Sequence, residues 1–159
     1  MKGEMQIMGA GLFNSLNISA SGLTAQSLRM DTISQNIANV NTTRDQNGKP
    51  YRRKTVVFAE KGTNAFEYAL QQHGMRRASQ INGQGVKVTA IVEDHVTSMK
   101  LVYDPSHPDA NEDGYVSLPN VNTVTEMTNL IDATRSYEAN VTAFNATKNM
   151  LLKGLELGQ

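Results

Sequence analysis

The chain has 159 residues, 39% of them hydrophobic, with 15 Lys/Arg against 15 Asp/Glu, four Phe and no Trp. Balanced charge excludes the basic excess of a typical nucleic-acid-binding domain, and the sparse aromatic content argues against a large self-contained core. Cysteine is absent, which removes disulfides, thiol nucleophiles and thiolate metal sites together.

The opening residues, MKGEMQIMGAGLFNSLNISASG, set Glu4 soon after Lys2 and contain no continuous apolar run, so a cleaved signal peptide is not expected. No stretch approaches the roughly 18 to 20 apolar residues that span a bilayer, so direct membrane insertion is not expected either. From Leu12 to Val40, alternate steps of four and three give Leu12, Leu16, Ser19, Leu23, Gln26, Met30, Ile33, Ile37 and Val40. This heptad-like stripe predicts a helix. Asn14 or Ser15 can cap its start, Gly22 weakens it, and the turn-forming TTRDQNGKPY ends it near Asn41. Asn36, Asn39 and Asn41 can satisfy backbone groups at that end, or meet a partner.

Three β-branched, alternating patches follow, at 51–60 (YRRKTVVFAE), 85–95 (GVKVTAIVEDH) and 96–104 (VTSMKLVYD). They predict three short strands in an antiparallel meander. Residues 62–84 read as a short helix or an irregular loop. The stretch 104–120 holds three of the four prolines and reads as a connector, ordered or flexible.

After Pro119, Asn120 or Asn122 can cap a second helix that runs to about Leu157, with Gly158 as terminator. The same stepping gives Met127, Leu130, Thr134, Tyr137, Val141, Phe144, Lys148, Leu151 and Leu155, widened by Val124, Ile131, Met150 and Leu152. The two stripes are natural partners for each other, since each helix alone would be marginal in water. The fold class expected is α+β: long terminal helices paired like a coiled coil, and a small β-rich middle. The boundaries expected are 1–43, 44–119 and 120–159.

Charge separates these parts. Residues 44–115 carry 10 Lys/Arg and 9 Asp/Glu, whereas Arg29 and Asp31 are the only charges between Leu12 and Val40. A free-standing helix surface normally carries more Lys and Glu. Small uncharged side chains allow close approach without burying ions, so this surface suits a protein covering better than water.

Catalytic chemistry finds little support. His73, His95 and His107 are far apart in sequence, and a strand would turn adjacent Asp94 and His95 to opposite faces. There is no G-x-S-x-G turn, and NGQG at 82–85 lacks the Lys-Ser/Thr and βα context of a phosphate loop. Asp104, His107, Asp109, Glu112 and Asp113 resemble a calcium or zinc ligand set, yet their spacing is no EF-hand and the prolines account for the segment. The basic runs Arg52-Arg53-Lys54 and Arg76-Arg77 read as salt-bridging or partner-facing surface. The helices lack the basic face and Trp anchors of a membrane-surface helix. No enzyme activity, cofactor or metal is expected.

Residues 21–43 (SGLTAQSLRMDTISQNIANVNTT) closely resemble the N-terminal motif of the bacterial flagellar axial proteins of rod and hook. Residues 126–158 are similar to the matching C-terminal helix, most distinctively over Arg135, Ser136, Tyr137, Glu138, Ala139 and Asn140. Between them, 103–127 resembles the proximal-rod members of that family, and the short chain agrees with this. The resemblance implies a structural subunit, exported unfolded without signal-peptide cleavage, that stacks helically around a channel and transmits torque. The implied partners are copies of itself, other flagellar rod proteins, and basal ring or export gate proteins, with no nucleic acid. The packing residues expected are Leu16, Leu23, Met30, Ile33, Asn36, Ile37, Asn39, Val40, Asn41, Met127, Leu130, Tyr137, Val141, Phe144, Leu151 and Leu155. From the residues alone, a self-contained helical adaptor or oligomeric binding module stays open beside this reading.

Overall fold

The computed structural model describes residues 2–45, 48–62 and 84–156, and for residues 2–10 the backbone alone. The element order is α1 (Lys2–Ala38), β1 (Lys54–Glu60), β2 (Val86–Glu93), β3 (Lys100–Tyr103), β4 (Tyr115–Leu118) and α2 (Thr123–Glu156). The architecture is α+β, with two long terminal helices and a small β middle. The helix or loop expected over 62–84, the cation pair Arg76-Arg77 and the terminator Gly158 lie outside the described residues.

α1 begins ten residues before the expected start at Leu12 and ends two residues short of Val40. Its last turn tightens, with Val40 N donating to Ile37 O, and the Asn39 amide donates to Gln35 O at 2.9 Å. Gln35 O also accepts from Asn39 N at 3.1 Å, so the residue bonds this carbonyl twice. α2 starts where the sequence places it. Asn122 is the cap, its Oδ1 accepting from Val124 N at 3.0 Å and Thr125 N at 3.3 Å.

The β segment departs from the expected meander. β1 pairs with β2 in one two-stranded sheet and β3 with β4 in another, so β2 and β3 are not neighbours. β4 lies inside the stretch read as a connector. It runs antiparallel to β3 in the register Lys100↔Leu118, Leu101↔Ser117, Val102↔Val116 and Tyr103↔Tyr115. The Tyr103 and Tyr115 rings meet edge to face at 5.2 Å. The loop between them is ordered: Asp104 N donates to Gly114 O, and the Asn111 side chain accepts from Asp113 N and Tyr115 N. Thr43 and Arg44 both bond Asp109, fixing the loop to the chain that leaves α1.

By contact density the chain forms two compact units, one of Met1–Ala25, Phe58–Val88 and Tyr137–Gln159, the other of Gln26–Val57 and Thr89–Ser136. In the first, Ser15 Oγ lies 3.4 Å from Thr147 Oγ1, and Asn140 sits so close to Gly22 that a Cβ there would be 2.7 Å from its Oδ1. The α1 and α2 segments therefore meet through small and polar residues, running antiparallel. Val86, the first residue of β2, donates its N–H to Ser21 Oγ at 3.0 Å. In the second unit, Thr134 Oγ1 lies 3.6 Å from Met30 Sδ, and Asn36 bonds Glu126 at 2.9 Å.

Among the described residues, the buried apolar set is Ala25, Ile33, Val116 and Ala133. Two of these are alanines. At about 25 cal/mol per Å² of apolar area, so small a set contributes little of the stability of a 159-residue chain. The large apolar side chains are elsewhere, and that locates the candidate site.

Candidate assembly surface

The faces of α2 are arranged against simple amphipathicity. Buried or half-buried positions run along it in heptad steps, Glu126, Leu130, Ala133, Tyr137, Asn140, Phe144, Thr147 and Leu151, with Asn129, Thr134, Ser136 and Val141 half-buried beside them. Four of them, Leu130, Tyr137, Phe144 and Leu151, belong to the sequence-derived stripe. The alternate positions are one residue earlier than that stripe, and they are small or polar. Glu126 is 1% exposed, Ala133 0% and Thr147 7%. Their apolar neighbours face solvent: Met127 is 56% exposed, with Val124, Ile131, Met150, Leu152 and Leu155 also open. Three large apolar groups at 124, 127 and 131 form a continuous exposed row, since residues three and four apart are helix-surface neighbours.

On α1 the expected packing residues sit as follows. Ile33 and Asn36 are buried, while Leu16, Leu23, Met30, Ile37, Asn39 and Val40 are half-buried. Asn41 is exposed, and on α2 Val141 is half-buried. The sequence stripe did not include Ala25 and Thr32, which are nearly covered.

A buried polar node organises the second unit. Asn36, with no exposed surface, donates from Nδ2 to Lys54 O at 2.8 Å and to Glu126 Oε2 at 2.9 Å. Its Oδ1 accepts from Tyr51 Oη at 2.8 Å and from Lys54 N at 2.9 Å. Two donors and two acceptor sites are thus all used. The pair of bonds to Lys54 reproduces a strand partner, an amide from a helix standing beside the first residue of β1. The Glu126 carboxylate receives Arg53 Nε on its other oxygen at 2.8 Å. A buried charge without such partners costs several kcal/mol, which is why Arg53 and Asn36 both converge on it.

The node extends outward. Asn120 Oδ1 accepts from Arg53 N at 2.9 Å, and its Nδ2 donates to Asp94 O and Thr97 O. Asp94 closes the turn after β2, its carboxylate accepting from Val96 N, Thr97 N and Thr97 Oγ1. Those bonds, with Thr97 foremost, hold the Asp94 carboxyl below its usual range. Tyr51 shifts the opposite way. Burial raises its phenol first, and the Glu93 and Glu126 carboxylates add to that. The ammonium of Lys54 lies 5.6 Å from the Tyr51 ring centre, a cation–π contact.

Sequence reasoning did not find this node. Arg53 lies in the run read as salt-bridging or partner-facing surface, and its ion-pair partner Glu126, 73 residues away, is invisible to local pattern. The other candidates separate. His95 approaches Glu93 at 3.7 Å on the exposed surface while Asp94 serves its own turn, and His107 Nδ1 accepts from Asp109 N. Among the described residues no three His, Asp or Glu side chains converge as a metal site. None of the described helices is long and apolar enough to cross a membrane. His73 lies outside the described residues.

The comparisons agree with the helical ends. The family model described as "Flagella basal body rod protein" matches residues 16–44, and that described as "Flagellar basal body rod FlgEFG protein C-terminal" matches 112–157. The flagellar basal-body rod protein FlgC of Bacillus subtilis is 54% identical over 153 residues, covering 92% of this chain and 98% of its own length. The protein of the same name from Borreliella burgdorferi is 44% identical, covering 94% and 99%. That from Salmonella typhimurium is 40% identical, covering 93% and 98%. With terminal helices that meet through small residues and relatives matched along almost their whole length, this chain belongs to the family of flagellar basal-body rod proteins FlgC.

Proposed function

We propose that the protein is a structural, non-catalytic subunit of the proximal rod of the bacterial flagellar basal body, polymerising helically around the export channel and transmitting torque. One observation carries the reading beyond family membership. Val124, Met127 and Ile131 form an exposed apolar row on α2 while small and polar residues fill the helix-to-helix contact. An exposed apolar row of this kind supports a surface that another protein covers.

In this reading the segments 1–43 and 120–159 are the assembly ends and 44–119 is the middle domain. The residues engaged in packing within and between subunits are those expected from the sequence, with Leu23, Met30, Ile33, Ile37, Tyr137, Val141 and Phe144 at the centre. The partners are copies of the chain, other rod proteins, and basal ring or export gate proteins. The subunit reaches the periplasm-spanning rod without a cleaved signal peptide.

Mass spectrometry of detergent-extracted basal bodies tests this. Recovery at a fixed ratio to other rod proteins is the expected result. Complete rods that lack the chain, with the chain recovered free in solution, would make it an adaptor instead.

A further inference from the structure

We infer that Asn120 is a clamp that joins the two small β sheets into one cooperative unit, using no residue of either terminal helix. Its partners lie in the unit formed by Gln26–Val57 and Thr89–Ser136, and the inference goes beyond the rod reading without depending on it.

Backbone pairing does not connect the sheets, since β1 pairs with β2 and β3 with β4. A two-stranded sheet by itself is marginal in water, so what ties the two together decides whether either keeps its pairing. The open end of the first sheet is closed by Asp94 N, which donates to Arg53 O at 2.8 Å, one residue outside each strand. Arg52 Nη1 adds a bond to Asp94 O at 3.1 Å. Asn120, two residues after β4, reaches this same end. Its Oδ1 accepts from Arg53 N at 2.9 Å, and its Nδ2 donates to Asp94 O at 3.0 Å and to Thr97 O at 3.2 Å. One side chain at the exit of the second sheet thus holds both strands of the first, together with the turn that leads from β2 to β3.

The local sequence fits this task. Pro119 is buried and has no N–H, so it ends the β4 ladder, and its fixed φ limits the path of the chain into residue 120. Of the two asparagines able to cap α2, Asn122 takes that role and leaves Asn120 to the sheets. Aspartate at 120 would keep an acceptor for Arg53 N but would set a carboxylate against two carbonyl oxygens. Serine has a single proton to donate and could not serve both carbonyls.

Asn111 supplies the comparison. Its Oδ1 accepts from Asp113 N and Tyr115 N, so it steadies the β3–β4 loop alone. If the sheets open as one unit, weakening that loop must be felt in the first sheet as well. If they open separately, it must not.

Hydrogen–deuterium exchange of the full chain provides the test, read on amides 54–57 and 89–93 for the first sheet and 100–103 and 115–118 for the second. Asn111→Ala should accelerate both sets by a common factor of about three or more. Asn120→Ala should accelerate both by about tenfold or more. Added to Asn120→Ala, the Asn111→Ala change should accelerate the second set alone. Acceleration confined to the second set in Asn111→Ala, with Asn120 in place, overturns the clamp. So does an Asn120→Ala chain that exchanges like the natural one, or a double variant in which both sets still respond to the Asn111 change. Should Asn120→Ala fail to fold, the Asn111 arm decides alone. A natural chain in which both sets exchange unprotected also overturns the clamp. Absence of the chain from basal bodies, by contrast, would refute the rod reading and leave the clamp standing.

Discussion

Gly85→Ala should be among the most damaging single substitutions outside the helix contacts. Gly85 immediately precedes β2 and has φ of +95°, a conformation that a residue with a Cβ adopts only under strain. That strain costs about 1–3 kcal/mol. The new methyl would also fall on the Ser21 hydroxyl and lie 3.3 Å from Ile18 Cα, which belongs to helix backbone and cannot swing aside. Displacing Ser21 Oγ breaks its bond from Val86 N, worth about 1 kcal/mol. The sum is roughly 3 kcal/mol, or about 6–12 °C in Tm for a chain of this size. Thermal and urea melts of the purified chain read both. Adding Ser21→Ala removes the hydroxyl from the methyl's path and should recover part of the loss, leaving the backbone strain. A Gly85→Ala chain as stable as the natural one would refute the account of how β2 docks on α1. A double variant no better than the single one would refute the part assigned to Ser21.

Three further outcomes follow from the site. Tyr51 is raised above the ordinary tyrosine value, so its neutral phenol contributes stability that is complete below about pH 10 and lost as pH rises through the folded value. The stability gap between the natural chain and Tyr51→Phe should therefore shrink on alkaline titration, and a constant gap would contradict the burial assigned to this phenol. Asp94 is lowered, so its contribution is present above about pH 3.9 and fades as pH falls through the folded value. Melts of Asp94→Asn and the natural chain should differ at pH 6 and converge in strong acid; a difference that persists there would remove the turn from the account. Met127→Asp should change monomer stability by no more than about 0.5 kcal/mol, since the side chain is 56% exposed. It should nevertheless cut recovery in basal bodies about tenfold or more, because covering a side chain of that size is worth about 1.5–3 kcal/mol. Undiminished recovery would show that the 124–131 row faces no neighbour.

The helices were legible in the sequence because both carry a long period and strong end signals, notably Asn122 and the turn residues after Val40. The face of α2 was legible only in part, with Leu130, Thr134, Tyr137, Val141, Phe144 and Leu151 at least half-buried and Met127, Lys148 and Leu155 exposed. Hydropathy assigns Met127 to the interior and Glu126 to water, while close helix contact selects for smallness. Ala133 and Thr147 therefore occupy the seam, and Glu126 enters it because Arg53 neutralises its charge and Asn36 bonds its other oxygen. β4 was missed for another reason. YVSL at 115–118 follows NEDG in a turn-rich stretch, and its identity as a strand comes from pairing with β3 rather than from its own composition. The register of β1 with β2 and the Asn36–Lys54 pairing are likewise properties of what meets in space.

The contact of Gly22 with Asn140, and of Ser15 with Thr147, bears on stiffness. Long side chains in a helix seam act as springs, since each can hop between rotamers and let the backbones shear or bow. Gly has no side-chain rotamer, and Ser and Thr turn about a single χ1, so such a seam has almost no slack to release. A load on one helix of the pair therefore meets little side-chain rotamer freedom at these two contacts. Lengthening any of these residues would soften the subunit before it unfolded it.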